Sequence, residues 1–334
     1  MKSSRRMFLA ASAAAVALHR PVPVRAAGSD GIAAGVLGLF DPLPGDKAVK
    51  IWSPAAKSGP ELLVQSNTSA HLFVGSAIKA FVLCERMRQL DDPNIVAMLT
   101  TTQVALDASV WSADSRTLNP PFLSGEITER TAMEAMIMHS DNTGTDIEFK
   151  QTGPDNVRGF LAKAGLTNSA VPDSTRIFFG YLLGAPDYKT YTWEELSSLP
   201  DNAPFVNSPL NSVETLASSG DDLVSFYARS LQGEFFRNSQ TLDEYRRILT
   251  LGDAATLAPN NVKTFSKGGS IDVPGFHCLC IPGAMAFNDR WVYYAFIINW
   301  YDVKLTDPDT VAAFIDTTRK ALALTRDGLS AGCA

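Results

Sequence analysis

Metal-binding and redox side chains are scarce in this chain. Its 334 residues include four cysteines and four histidines, with no His-Glu-x-x-His and no Cys-x-x-Cys spacing, which argues against the common zinc and dithiol sites. Four cysteines are too few to staple a chain of this size. Cys278 and Cys280 alternate on a predicted strand and point to one face, where neighbours two apart are badly placed to bond each other. With Cys84 they read as small buried apolar residues, while Cys333 at a loose end reads as a free thiol. Basic stretches are missing too. Against 35 Asp and Glu stand 29 Lys and Arg, a net charge of −6, so no patch is expected to meet phosphates and nucleic acid is not an expected partner. No apolar run reaches the roughly 20 residues that a bilayer core demands, so no stable membrane anchor is expected. There is no internal repeat, and nothing in the residues calls for a cofactor.

What is present begins with an address label. Ser4-Arg5-Arg6-Met7-Phe8-Leu9 carries paired arginines, an apolar run follows over 7–18, and Val24-Arg25-Ala26 offers small residues for cleavage. Residues 1–27 therefore read as a removable signal of twin-arginine type, and the mature protein is expected in the periplasm or secreted. Roughly 300 residues remain, enough for one large core or two modest ones.

The apolar patterning predicts strands over 48–52 and 61–65 near one end and over 276–281 and 291–300 near the other. The last of these is apolar on both faces except Asn299, as in a central strand. A helix follows, with Asp307 as cap and Pro308 in its first turn. Helical patterns fill the middle. The expected layout is α/β: an antiparallel sheet domain with flanking helices built from 28–66 and 256–334, and an all-helical domain inserted over 67–255. Such a layout leaves a cleft between its halves.

Three short motifs stand in order along the chain: Ser76-Ala77-Ile78-Lys79, Ser140-Asp141-Asn142 and Lys267-Gly268-Gly269. Ser76 and Lys79 lie one turn apart on a predicted helix and share a face. A serine hydroxyl is a weak nucleophile until a base takes its proton, and a lysine becomes that base once burial or nearby positive charge lowers its pKa. The helix N-terminus favours the oxyanion that would develop there. The SDN turn closes a helix whose buried stripe is Met133, Met136 and Ile137, with Thr131 and Glu134 in capping-box spacing. Gly268 and Gly269 let a substrate backbone approach the strand beside Lys267.

The S-x-x-K, S-D-N order, with Lys-Gly-Gly where Lys-Thr-Gly is usual, resembles the penicillin-recognising serine enzymes, the class A β-lactamases in particular. Residues 125–146 resemble that family's helix and loop over their whole length. The resemblance implies an acyl-enzyme on Ser76 with Lys79 as base, Ser140 passing a proton to the leaving group and Asn142 holding the substrate amide. It implies an electrostatic role for Lys267 beside Ser140. Gly269 would line the substrate strand, and the backbone N–H of Ser270 would join that of Ser76 in an oxyanion hole. The expected substrate is a small molecule or peptide-like lactam, amide or ester; the oligomeric state is not legible. Three departures limit the likeness. Gly268 lacks the hydroxyl of Lys-Thr-Gly, and no cation stands near Phe276. The family's deacylating glutamate also has no clear counterpart: counting forward from Ser140 lands near Arg176, with Asp173 the closest acid, whereas counting back from Asn207-Ser208-Pro209 lands beside Glu194. Glu194 is preferred. A D,D-peptidase, an esterase and a slowly deacylating sensor or binding domain fit the same motifs.

Overall fold

Along the strand 290–300, side chains alternate between two apolar layers. Tyr293, Ala295 and Ile297 belong to one hydrophobic cluster, and Val292, Tyr294, Phe296 and Ile298 to another. A strand apolar on both sides must be covered on both, and this requirement organises the molecule. The computed structural model describes residues 29–200 and 203–331. The twin-arginine segment 1–27 and Cys333 lie outside the described residues.

In chain order, α1 (Ser29–Phe40) leads to β1 (Asp46–Ser53), β2 (Leu62–Ser66) and β3 (Leu72–Phe73). A 3-10 turn, Gly75–Ile78, runs directly into α2 (Lys79–Gln89). Then come α3 (Ile95–Thr101), β4 (Gln103–Leu106), β5 (Gly125–Thr128), α4 (Glu129–Met138), α5 (Asn142–Thr152) and α6 (Pro154–Lys163). The middle closes with α7 (Thr175–Leu182), α8 (Trp193–Ser198), β6 (Ala217–Ser218), α9 (Gly220–Leu231) and α10 (Ser239–Leu249). The chain returns through β7 (Lys263–Ser266), β8 (Gly269–Val273), β9 (Phe276–Phe287) and β10 (Arg290–Trp300) to α11 (Pro308–Ala331).

The main sheet is antiparallel, ordered β2-β1-β10-β9, with β7 and β8 both on the free side of β9. Strands from the two ends of the chain are thus adjacent, Val49 facing Phe296. Helices α1 and α11 cover the outer face through Ile32, Val36, Phe40, Phe314 and Leu322. The inner face meets the helices of the middle segment, with α2 at their centre and Ala80 to Cys84 fully buried. Helix α1 has no counterpart among the sequence expectations. Its three glycines argue for a loop, since each costs a helix about 1 kcal/mol. Gly35 shows one reason: a Cβ there would come within 2.8 Å of Leu324 on α11.

β7 and β8 are one strand with a gap. Ser266 faces Gly283 and Gly269 faces Cys280, so the register carries straight through. The gap holds Lys267 and Gly268, and the facing stretch of β9 includes Pro282, which has no N–H to donate. Lys267 therefore sits where the ladder lapses, between the two strand segments.

One buried group works against stability. Glu148 on α5 is fully buried, and neither carboxylate oxygen has a hydrogen-bond partner among the described residues. Burial, and then the charge of Glu129, push its pKa well up, with Arg86 opposing. An acid whose folded pKa is raised costs stability as the pH climbs above its unfolded value near 4.3. Glu148→Met is expected to raise the unfolding free energy by about 1–3 kcal/mol at neutral pH. The gain should widen in denaturant titrations as the pH rises above the unfolded value; a loss of stability would contradict this account.

Candidate active site

Of residues 72–85, Ser76 alone is not buried. The segment leading to it is held from the sheet. Phe73 donates its N–H to Asn299 Oδ1, and its carbonyl accepts from Asn299 Nδ2, both at 2.9 Å. The Cys278 thiol donates to the same carbonyl. Asn299, buried near the end of the largely apolar β10, therefore serves to fix the strand before Ser76. Cys84, Cys278 and Cys280 are free and buried.

Two glycines bring β8 against the turn. Gly75 has φ +53°, and a Cβ on it would lie 2.9 Å from Ser270 N. A Cβ on Gly269 would lie 2.0 Å from Val74 O and 2.7 Å from Ser76 N. The backbone amides of Ser76 and Ser270 both border this contact, the arrangement an oxyanion hole needs.

Lys79 is fully buried. Its Nζ donates to Ser140 O at 2.6 Å and to Asn142 Oδ1 at 2.7 Å, with Ser140 Oγ at 3.3 Å. Burial lowers its pKa to about 7, helped by the charge of Lys267 and opposed by Asp141, Asp146 and Asp114. A neutral amine has two N–H groups, which the two short bonds occupy. Its lone pair is left to accept a proton, and a serine lies one turn away. Lys267 is also buried, with Nζ donating to Gly268 O at 2.8 Å.

Each residue of the SDN turn has a distinct place. Ser140 sits at φ +54°, a conformation that costs a non-glycine residue about 1 kcal/mol or more. Asp141 caps α5 through Gly144 N at 3.0 Å, and its other oxygen accepts from Thr117 N and Leu118 N. Asn142 Nδ2 donates to Ala113 O at 2.9 Å. One sequence detail is corrected: the cap of α4 is Thr128, whose hydroxyl accepts from Thr131 N. Glu134 pairs with Arg130 and Arg247 instead of closing a capping box on Thr131.

Neither candidate acid of the following loop joins this group. Glu194 is exposed on the first turn of α8, whose capping box is formed by Thr192 and Glu195. Asp173 is paired with Arg158 and Lys189, both at 2.5 Å. That network lines a depression of about 470 Å³ that none of the three motifs borders. The loop is tied to the SDN helix at Thr175 and Arg176, where the forward count had landed. Thr175 Oγ1 bonds to Asp146 Oδ1 at 2.7 Å, lies 2.9 Å from Ser112 Oγ, and donates to Asn142 O at 3.3 Å. The residue anchored behind Asn142 is a hydroxyl, not a carboxylate.

The sequence reading missed Asp146. It accepts the N–H groups of Thr175 and Arg176 and is buried, with burial raising its pKa to about 6 against those bonds. An acid one helical turn after Asn142 reads as solvated from sequence. Only the packing of the loop above it shows otherwise. Phe276, where a cation is absent, packs edge-on against Phe73 and Tyr301. Among the described residues no group of three His, Cys, Asp or Glu is arranged to hold a metal ion, and no helix is long and apolar enough to cross a membrane.

The sequence matches a family model described as the beta-lactamase enzyme family over residues 44–271. No curated relative matches it. Solved structures of similar fold include the TLA-3 extended-spectrum β-lactamase, with TM-score 0.64 and 16% identity over 88% of this chain and 98% of that one. A β-lactamase from Sphaerobacter thermophilus gives TM-score 0.65 and 16% identity over 91% and 98%. PBP-A gives 0.62 and 14% over 89% and 96%. At these identities the likeness is one of fold alone.

Proposed function

The chain belongs to the β-lactamase enzyme family, and on that premise we propose that it is an exported serine hydrolase that forms an acyl-enzyme on Ser76. Ser76 Oγ attacks the carbonyl carbon of a lactam, amide or ester while Lys79 Nζ takes its proton. The N–H groups of Ser76 and Ser270 receive the oxyanion. As the C–N or C–O bond breaks, the proton passes from Lys79 through Ser140 Oγ to the leaving group, with Lys267 stabilising the charge beside it. Asn142 orients the substrate amide, and water releases the acyl group. The observation that carries this reading is the fully buried Lys79, its pKa lowered to about 7, beside the one residue of its segment that is not buried.

Ordinary penicillins are expected to be poor substrates. Gly268 offers no hydroxyl and Phe276 no charge where a penicillin carboxylate would be gripped, and each charged hydrogen bond of that kind contributes about 1.5–3 kcal/mol. Deacylation is expected to be slow, because Glu194 is exposed and Asp173 is held in ion pairs elsewhere. Those two observations favour, as a second reading, a D,D-peptidase, an esterase or a β-lactam-binding protein with a long-lived adduct. One of the fold neighbours is described as the acyl-enzyme complex of PBP-A with penicillin G. Steady-state hydrolysis of benzylpenicillin, with Ser76→Ala as control, is the test. Little or no turnover is expected; efficient hydrolysis lost in Ser76→Ala would overturn the claim of weak turnover.

A further inference from the structure

Strand β8 reaches the site with a free edge. It pairs with β9 alone, and both N and O of Ser270 face Gly75, away from β9. Alternation along an antiparallel ladder makes Asp272, two residues on, a position without ladder bonds of its own, where facing side chains stand closest. The residue facing it is His277. That histidine is fully buried and stacks on Trp300, with ring centroids 5.0 Å apart. Its Nδ1 is bonded to Asp272 Oδ1, and its Nε2 donates to Asp302 O at 3.3 Å, in the loop after β10. The same carbonyl accepts from Gly275 N at 2.6 Å, at the tip of the β8–β9 hairpin. A carbonyl only accepts, so Nε2 carries a proton; the bond at Nδ1 then takes a second one, on the ring or on the carboxyl. The neighbouring acids have partners of their own. The Asp302 carboxylate is engaged by Lys304, and that of Asp307 by Trp300 Nε1 and Thr310 N. Asp272 Oδ2 is buried with no partner, so among the described residues His277 alone holds this carboxyl by a hydrogen bond.

We propose that His277 is a positioning residue for acylation: it clasps Asp272 to the loop after β10 and thereby holds the free edge of β8, with the Ser270 N–H, against the turn that carries Ser76. This rests on the acyl-enzyme reading above. Without the clasp the far half of β8 can swing away from Gly75, and one of the two oxyanion donors leaves its place. The effect falls on the chemical step, because the oxyanion develops only there, and not on the first encounter with substrate.

The test is acylation of the protein by benzylpenicillin, followed by intact mass over a range of penicillin concentrations, so that the limiting rate separates from the half-saturating concentration. His277→Phe keeps a ring on Trp300 and removes both nitrogens. Its limiting rate should fall at least about tenfold, toward the loss seen when an oxyanion donor is removed, with the half-saturating concentration little changed. Asp272→Asn supplies the second proton from its own amide, keeps both contacts of the ring, and should retain the limiting rate to within about threefold. His277→Phe leaves a buried carboxyl unpaired, so a double variant, Asp272→Leu with His277→Phe, replaces the whole pair by apolar residues at little cost in stability. The double variant should be as stable as the wild type and still acylate slowly, which a merely structural role would not produce. A wild-type limiting rate in the double variant, a loss confined to the half-saturating concentration, or Asp272→Asn as slow as His277→Phe would overturn the proposal and leave the acyl-enzyme reading intact. No adduct on the wild type, or undiminished modification of Ser76→Ala, would overturn both.

Discussion

Replacing Lys79 by methionine is expected to slow acylation of Ser76 by about 10²- to 10⁴-fold, the usual contribution of a positioned general base. Methionine fills much the same buried volume but carries no lone pair of suitable basicity. In the wild type, burial and the neighbouring charge of Lys267 bring the lysine to about 7, so the reactive neutral form prevails above that pH and disappears below it. The acylation rate should therefore rise through pH 7 and level off in the alkaline range. The stability contributed at this site should rise with pH as the activity does. A lysine whose folded pKa is depressed costs stability fully below pH 7, and the cost fades as the pH rises toward the unfolded value near 10.4. Lys79→Met should then be no less stable than the wild type at pH 6, although nearly inactive. Acylation within tenfold of the wild type would remove Lys79 from the role of base.

The second large effect is expected from one methyl group. Gly269→Ala introduces a Cβ that would stand 2.0 Å from Val74 O and 2.7 Å from Ser76 N. Both are backbone atoms, so no side chain can swing aside. Either β8 retreats from the turn or the turn shifts, and the amides of Ser76 and Ser270 lose their common target. Loss of an oxyanion-hole donor typically costs about 10²–10³ in rate. Overpacking of this kind adds about 1–3 kcal/mol of destabilisation, so acylation must be compared at a temperature where the variant is demonstrably folded. Substitution of Gly268 to alanine is the comparison, since it stands in the gap between β7 and β8. A Gly269→Ala protein that acylates at the wild-type rate would show that the close approach of β8 to Ser76 is not needed.

Local patterns made much of this molecule legible. β10 is apolar on both faces because two layers cover it, and Pro308 with Asp307 marks the start of α11 as the sequence suggests. Ser76 and Lys79 are three residues apart, so a single turn suffices to relate them. The features that escaped depend on contacts across long separations. Helix α1 is concealed by its glycines, one of which, Gly35, packs against Leu324 of α11, nearly 300 residues away in sequence. Asn299 reads as an interruption of a strand until Phe73 is placed beside it. The loop residue opposite the SDN helix cannot be found by counting, because the two counts differ by the loop's extra length. The forward count arrived beside Thr175, and the residue type there proved to be a hydroxyl. Asp146 gains its altered acidity only from that same loop closing over it.

The most direct test of the central claim is the intact mass of the protein followed over time after addition of benzylpenicillin, with the modified peptide identified by proteolysis. The account predicts slow gain of one penicillin mass on the peptide containing Ser76, persistence of that adduct, and no modification of Ser76→Ala. A single adduct on some other residue, or undiminished modification of Ser76→Ala, would contradict it.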